Sequence, residues 1–197
     1  MLNKTTKLDA VNTMLSAIGE PPINTLSSQR ADSNLAERIL DEVSRDVQSV
    51  GWHFNTEDNV VYTPDTDGFI SVASNVAKVD LDTTKYWNID LIMRGDRLFD
   101  KVTNSYVFTS SIEVTRVVML DFNELPEAAR RYIMIRASRV FGDRMVGSEK
   151  HHMFSTQDEL AALATMREFE MDTADYSIFD SAGPLSVINR NNSYRTY

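Results

Sequence analysis

Six carboxylates, Glu57, Asp80, Asp82, Asp90, Asp96 and Glu113, fall in the middle of the chain among Trp52, Tyr86 and Trp87. Paired carboxylates about 5–9 Å apart carry the acid/base work of glycoside hydrolysis, and aromatic rings stack on sugars, so this set raises glycan hydrolysis as one reading. The same residue types are ordinary on a half-exposed sheet, and their spacing selects no pair. His151-His152 beside Glu149 are metal-ligating types, yet adjacent residues on a helix or strand diverge and no third ligand is indicated. Asp65-x-Asp67-Gly68 is a fragment of a calcium loop without its distal Glu. "GDRMVGSE" (142–149) has the glycine spacing of a phosphate loop, but Ser148 stands where Lys is needed and Glu149 would repel phosphate. Neither a G-x-S-x-G elbow nor a G-x-G-x-x-G fingerprint occurs. The expectation is a non-enzymatic protein without cofactor or metal, with glycan hydrolysis as the alternative.

Lys and Arg total 20 against 29 Asp and Glu, a formal charge of −9. An acidic chain lacks the cationic footprint on which duplex affinity depends, which argues against a DNA-binding repressor or coat. It leaves room for a wall past which DNA slides, because like charge prevents sticking. The 197 residues, 42% of them hydrophobic, suffice for one domain or two small ones. Cys is absent, which excludes disulfides, thiolate metal sites and Cys nucleophiles. The first residues hold no uninterrupted apolar segment and no apolar run is long enough to cross a bilayer, so a soluble, unprocessed chain is expected.

The elements that must position any site are well punctuated at the start. Leu8, Val11, Leu15 and Ile18 keep helical spacing behind a Thr6 cap with Asp9 three residues on, and Gly19 with Pro21-Pro22 ends that helix. Asp32 or Ser33 can cap a longer helix with the single stripe Leu35, Ile39, Val43, Val47 and Val50, closing at Gly51. From Trp52 to about Phe122 the runs "WHFNT", "NVVYT", "FISVAS", "NIDLIMR", "RLFDKV", "SYVFT" and "IEVTRVVML" read as strands of an antiparallel sheet. Gly95-Asp96 and Asn104-Ser105 suit tight hairpins. Asn123 is the expected cap of a third helix over about 124–145.

The two late helices are overcommitted to burial. The third carries Leu125, Tyr132, Ile133, Met134, Ile135, Val140 and Phe141 with no wholly polar side. At 100° per residue the last helix places Leu160, Leu163, Ala164, Met171, Ala174 and Ile178 on one side and Ala162, Met166, Phe169 and Tyr176 nearly opposite. Residues 124–146 hold five Arg and three acids, net +2, whereas 156–180 hold one Arg and seven acids, net −6. Arg130, Arg131, Arg136 and Arg139 are therefore placed to pair with Glu168, Glu170, Asp172 and Asp175, within or across subunits. The end, "SAGPLSVINRNNSYRTY" (181–197), has Arg190 and Arg195 and no acid, a composition suited to docking on an acidic neighbour, with Tyr194 and Tyr197 adding contact area.

The fold class expected is α+β: a helical bundle with an inserted antiparallel β-sheet domain and an extended C-terminal arm. Residues 1–51 form the first half of the bundle, 52–122 the β domain, 123–180 the second half, and 181–197 the arm.

Three strings resemble a known family. "LDAVNTMLSAIGEPPINTL" (8–26), "ERILDEVSRDVQSVGWHFN" (37–55) and "DFNELPEAARRYIMIRASRVFGDR" (121–144) resemble tail tubular protein A, the head-to-tail adaptor or gatekeeper of short-tailed, podovirus-type bacteriophages. The likeness is strongest in "IGEPP", "QSVGW" and "RASRVF" and weakest in the sheet. The resemblance implies a virion tail protein assembled in the host cytoplasm into a homo-oligomeric ring of about twelve copies. Its implied partners are the portal protein, the tail nozzle protein and tail fibres, with genomic DNA passing through the lumen without tight binding. On this reading Tyr132, Ile135, Met166, Phe169 and Tyr176 face neighbouring subunits. Arg190, Tyr194, Arg195 and Tyr197 dock on the portal or a neighbour.

Overall fold

The computed structural model describes residues 3–27, 30–147 and 149–173, with main chain alone over 149–155. The order is α1 (Lys7–Ala17), α2 (Ala31–Gln48), β1 (Thr56–Tyr62), β2 (Val76–Leu81), β3 (Leu91–Arg94), β4 (Arg97–Asp100), β5 (Ile112–Val118), α3 (Glu127–Met145) and α4 (Glu149–Thr173). This is the α+β class that the sequence implies.

Local signals account for the early helices. In α1 the Asp9 N–H donates to Thr6 Oγ1 at 3.2 Å and the Thr6 N–H donates to the Asp9 carboxylate at 3.0 Å, a complete capping box. Gly19, at φ +81°, closes the other end, where the Glu20 N–H donates to the Leu15 carbonyl at 3.0 Å. α2 begins at Ala31, ahead of both expected caps; Ser33 Oγ turns back to donate to the Arg30 carbonyl at 2.9 Å. Ile39, Val43 and Val47 are buried as their stripe implies, while Val50 lies beyond the helix end and is exposed.

Asn123 does not cap α3, which begins at Glu127 behind Pro126. Its Oδ1 accepts the Lys7 N–H of α1 at 3.0 Å, and the Glu127 carboxylate accepts the Thr5 N–H at 2.9 Å. The start of α3 thus supplies acceptors to the start of α1. The buried Arg130 completes the joint by donating to the carbonyls of Leu125 and Thr5, both at 2.8 Å, and of Asn123.

The sheet is smaller than the expected strand runs. β1, β5 and β2 form one antiparallel sheet with β5 in the middle, and β3 and β4 form a separate hairpin across Gly95-Asp96, with Arg94 opposite Arg97. "WHFNT" opens instead with a 3-10 turn, His53–Asn55, and β2 arises from a stretch outside the expected runs. A register shift between Val76 and Lys78 breaks the alternation by which β2 would be read. "FISVAS" and "SYVFT" supply only isolated bridges, Phe69 with Val107, Ser71 with Arg97, and Asp100 with Ser105. The Asp100 carboxylate curls the chain after β4 by accepting the Val102 N–H at 3.0 Å and the Thr103 hydroxyl at 2.6 Å.

The described residues form two apolar cores. Met14, Leu15, Ile39, Leu40, Leu125, Ile133 and Phe141 centre the helical one, and Ile70, Leu98, Ile112 and Val114 centre the one under the sheet. Within the helical part α3 is the middle element, packed against α1, α2 and α4.

Candidate functional site

Five of the six carboxylates that suggested sugar chemistry are occupied, and Asp96 sits in the β3–β4 turn. Glu57 pairs with Arg116 at 2.7 Å, Glu113 with Lys85 at 2.6 Å, Asp90 with Lys101 at 2.7 Å and Asp80 with Lys78 at 3.3 Å. Asp82 shapes its own turn, accepting the Thr84 N–H and hydroxyl, and those bonds hold its carboxyl below the usual range. Glu57 lies opposite Arg116 in the ladder, so it and Glu113 are separated by three residues of strand, about 10 Å. Each has a cation beside it rather than the apolar pocket of a general acid. Trp52 Nε1 donates to the Val47 carbonyl at 2.7 Å, a structural role, whereas Trp87 is 85% exposed on the loop between β2 and β3. His151, His152 and Glu149 lie where side chains are not described; among the described residues no group of three His, Asp or Glu is placed to hold a metal.

The helical surface carries the more informative geometry. α4 packs on α3 and touches the His53–Asn55 turn, and the side it turns inward is Ala162, Met166 and Glu170. Met166 is 0% exposed and Tyr132 is 5% exposed, both inside the subunit's own helical core. The expectation that these two residues face a neighbour is thereby corrected: α1, α2, α3 and α4 together bury them within one chain. Ile135 and Phe169 are half-buried, and Ile135 lines a groove of about 530 Å³ between α3 and α4 with Arg131, Asp158, Ala161, Ala162 and Thr165. Tyr176, Arg190, Tyr194, Arg195 and Tyr197 lie outside the described residues.

What α4 leaves outside is part of the other stripe, since Leu163 packs against the helical core. Leu160 is 62% exposed and Met171 60% exposed, with Ala161, Ala164, Glu168 and Asp172 exposed alongside. Spacing signals two apolar sides but not which one α3 covers; the polar neighbours decide it. Glu159, on the inward flank, is gripped by Arg139 and lies 3.8 Å from Arg136, and Arg136 also binds Asp46 of α2. Glu170 accepts the His53 N–H at 2.7 Å, and its second oxygen, Oε1, is buried without a protein partner. The expected arginine partners are therefore replaced: Arg139 and Arg136 take Glu159, Arg130 takes main-chain carbonyls, and Glu168 and Asp172 remain at the surface. The Glu159 hydrogen bond comes first among the causes that raise Arg139 above its ordinary value, outweighing partial burial.

α2 presents a contrasting face. Arg38 and Arg45 stand two turns apart on either side of Glu42, and Arg144 from α3 donates to Glu42 at 3.2 Å. Its hydrogen bond, then its charge, with smaller contributions from Arg45 and Arg38, holds the Glu42 carboxyl below the usual range. With Leu35, Ile39 and Asp41 these residues line a cleft of about 340 Å³. Sequence reading missed this cluster because its members come from two helices and sit on an otherwise acidic chain.

Among the described residues, α4 leaves one long side with Leu160 and Met171 exposed. Comparison with known proteins identifies the family. The chain is 27% identical over 164 residues to "Tail tubular protein A" of Klebsiella phage KP34, covering 82% of this chain and 86% of that relative. A family model described as "Tail tubular protein" matches residues 8–176, from the second residue of α1 to beyond the end of α4. The chain therefore belongs to the tail tubular protein family and is a structural component of a bacteriophage tail.

Proposed function

We propose that this chain is one subunit of a ring-shaped adaptor between the portal and the tail nozzle, guiding genomic DNA through its lumen and contributing to tail-fibre attachment. The observation that carries the proposal is α4: a 25-residue helix attached along one side, with Leu160 and Met171 on a face that no part of the described subunit covers. A long helix with an uncovered apolar face calls for a protein neighbour. The net charge of −9 per copy supports the lumen, since a ring of about twelve would repel DNA strongly enough to let it pass without adhering. Ile135, which lines the α3–α4 groove, and the half-buried Phe169 stay part of the proposed contact with neighbours, together with Tyr176. Arg190, Tyr194, Arg195 and Tyr197 are proposed to dock on the portal or on an adjacent copy.

The mechanism is geometric and needs no catalytic step. Helix faces close the ring, the sheet and the C-terminal residues present surfaces to portal, nozzle and fibres, and the lumen guides DNA. Native mass spectrometry of this chain mixed with the portal ring of the same phage tests the proposal. A complex that gains a fixed number of copies, about twelve, is the expected result. No association at any stoichiometry overturns the adaptor role. Deleting residues 185–197 is expected to abolish portal binding with the fold intact; undiminished binding would exclude the docking role of that segment.

A further inference from the structure

We infer that the outer face of α4 and the arginine face of α2 are the two halves of one head-to-tail contact between copies of this chain. The inference rests on the ring reading above and goes beyond it by saying which surfaces meet and why.

On α4, Leu160, Ala161, Ala164, Glu168, Met171 and Asp172 fall within roughly 120° of one another at 100° per residue, and all are exposed. Two alanines in the middle let a second helix approach closely, and Leu160 and Met171 supply apolar area to bury. The two carboxylates stand one turn apart and hold no ion partner among the described residues. This face is therefore apolar, narrow and negative. Gln157 shares the stripe and the exposed Arg167 lies at its edge, so the negative charge is concentrated at Glu168 and Asp172.

The complementary surface is on α2. Arg38 and Arg45 hold no ion partner among the described residues, and the one carboxylate between them, Glu42, is already taken by Arg144. Asp41 is occupied too, lying 2.9 Å from Lys7 Nζ. Three guanidiniums thus face solvent with one carboxylate among them, over a cleft lined by Leu35 and Ile39. A patch of surplus positive charge on a chain of −9 is what an acidic, partly apolar helix face would select.

α3 contacts both α2 and α4, and Arg136 on α3 reaches Asp46 of α2 and Glu159 of α4, so the inward sides of the two helices are tied together through α3. The acids of the outer α4 face and the arginines of α2 are not paired with each other among the described residues, which leaves both faces for a second copy. An isologous pairing of the unlike faces would stop at a dimer, whereas the ring needs a heterologous contact, which leaves one face of each kind free on every new copy and grows until it closes.

Charge inversion tests this with the full chain, alone and on the portal ring. One variant carries Arg38→Glu and Arg45→Glu; the other carries Glu168→Arg and Asp172→Arg. All four side chains are exposed, so circular dichroism and thermal melts are expected to match wild type. Each variant alone is expected to self-associate at least about tenfold more weakly than wild type. Mixed in equal amounts the two should assemble again, because each presents the face that the other now requires, and native mass spectrometry should show alternating masses. If both variants assemble alone as wild type does, the contact is wrong and the ring reading stands. If neither assembles and the mixture does not either, the two faces do not meet and the inference is overturned. Wild type that fails to assemble, alone or on the portal, overturns the ring reading itself and this contact with it.

Discussion

Gln48 and Leu120, 72 residues apart in sequence, hold each other by both polar atoms of one amide: the Leu120 N–H donates to Gln48 Oε1 at 2.8 Å and Gln48 Nε2 donates to the Leu120 carbonyl at 3.1 Å. Gln48 ends α2, and Leu120 is where the chain leaves the sheet on its way back to the helices. Asn55 reinforces the joint by donating from Nδ2 to the carbonyls of Gln48 and Val118, both at 3.0 Å. The helical and sheet cores are thus coupled through buried amides rather than through a shared apolar layer. Replacing Gln48 with Leu leaves the Leu120 N–H and carbonyl without partners, and is expected to cost about 1–3 kcal/mol in urea unfolding.

Arg130 is a second polar fastener. Its planar fork serves three carbonyls from the starts of α1 and α3, a geometry that the single ammonium of Lys does not reproduce. Arg130→Lys is expected to lose about 1–3 kcal/mol and Arg130→Ala more, read by denaturant melts, with amide exchange rising first around residues 5–9.

The two sides of α4 should respond oppositely. Met166→Ala is expected to destabilise the fold by about 2–5 kcal/mol, since it empties a core position. Met171→Ala, on the exposed side, should change stability by less than about 0.5 kcal/mol while weakening self-association. Thermal unfolding and sedimentation measured together check the pair of outcomes.

Asp100 should make part of the stability depend on pH. Burial pushes its carboxyl up, but hydrogen bonds from the Thr103 hydroxyl and from the N–H groups of Asp90, Val102 and Thr103 outweigh this and hold it below the ordinary carboxylate range. A carboxyl lowered on folding contributes stability that is present above its unfolded value, about pH 4, and is lost as pH falls through the folded value. Asp100→Asn is accordingly expected to cost about 1–3 kcal/mol at neutral pH and much less in acid, with urea titrations at both pH values as the check.

Gly51 is favoured for two reasons at the same joint. Its φ of +83° is a left-handed conformation, and a Cβ there would lie 2.9 Å from Val117 Cγ2. Gly51→Ala is expected to cost at least about 1–2 kcal/mol from the backbone alone, measured by thermal melts.

Several elements were legible because their signals are local. Thr6 with Asp9 caps α1 across three residues, Ile39, Val43 and Val47 mark the inward side of α2 one turn at a time, and Gly95-Asp96 turns the β3–β4 hairpin. The family strings lie in these same helices and in α3, so the resemblance is carried by locally specified elements. The misreadings share a cause too. Asn123 has the residue type and place of a cap for the helix that follows it, yet the donor it serves is Lys7, 116 residues away. "FISVAS" has strand composition but meets only single bridging partners, while β2, broken by its register shift, pairs along most of β5.

What the sequence determined by itself is the α+β class, the start and stop of α1, the acidic balance of the chain and the presence of two apolar sides on the last helix. Tertiary structure alone decided which of those sides became interior. Leu160 and Met166 are both good core residues, and helical periodicity ranks neither above the other. α3 settles the choice because its Arg136 and Arg139 engage Glu159 on the flank that also carries Met166, so α4 docks with Met166 inward and leaves Leu160 and Met171 to the solvent. The same packing placed Arg38, Arg45 and Arg144 on one surface from two distant stretches of chain, a juxtaposition that no spacing encodes.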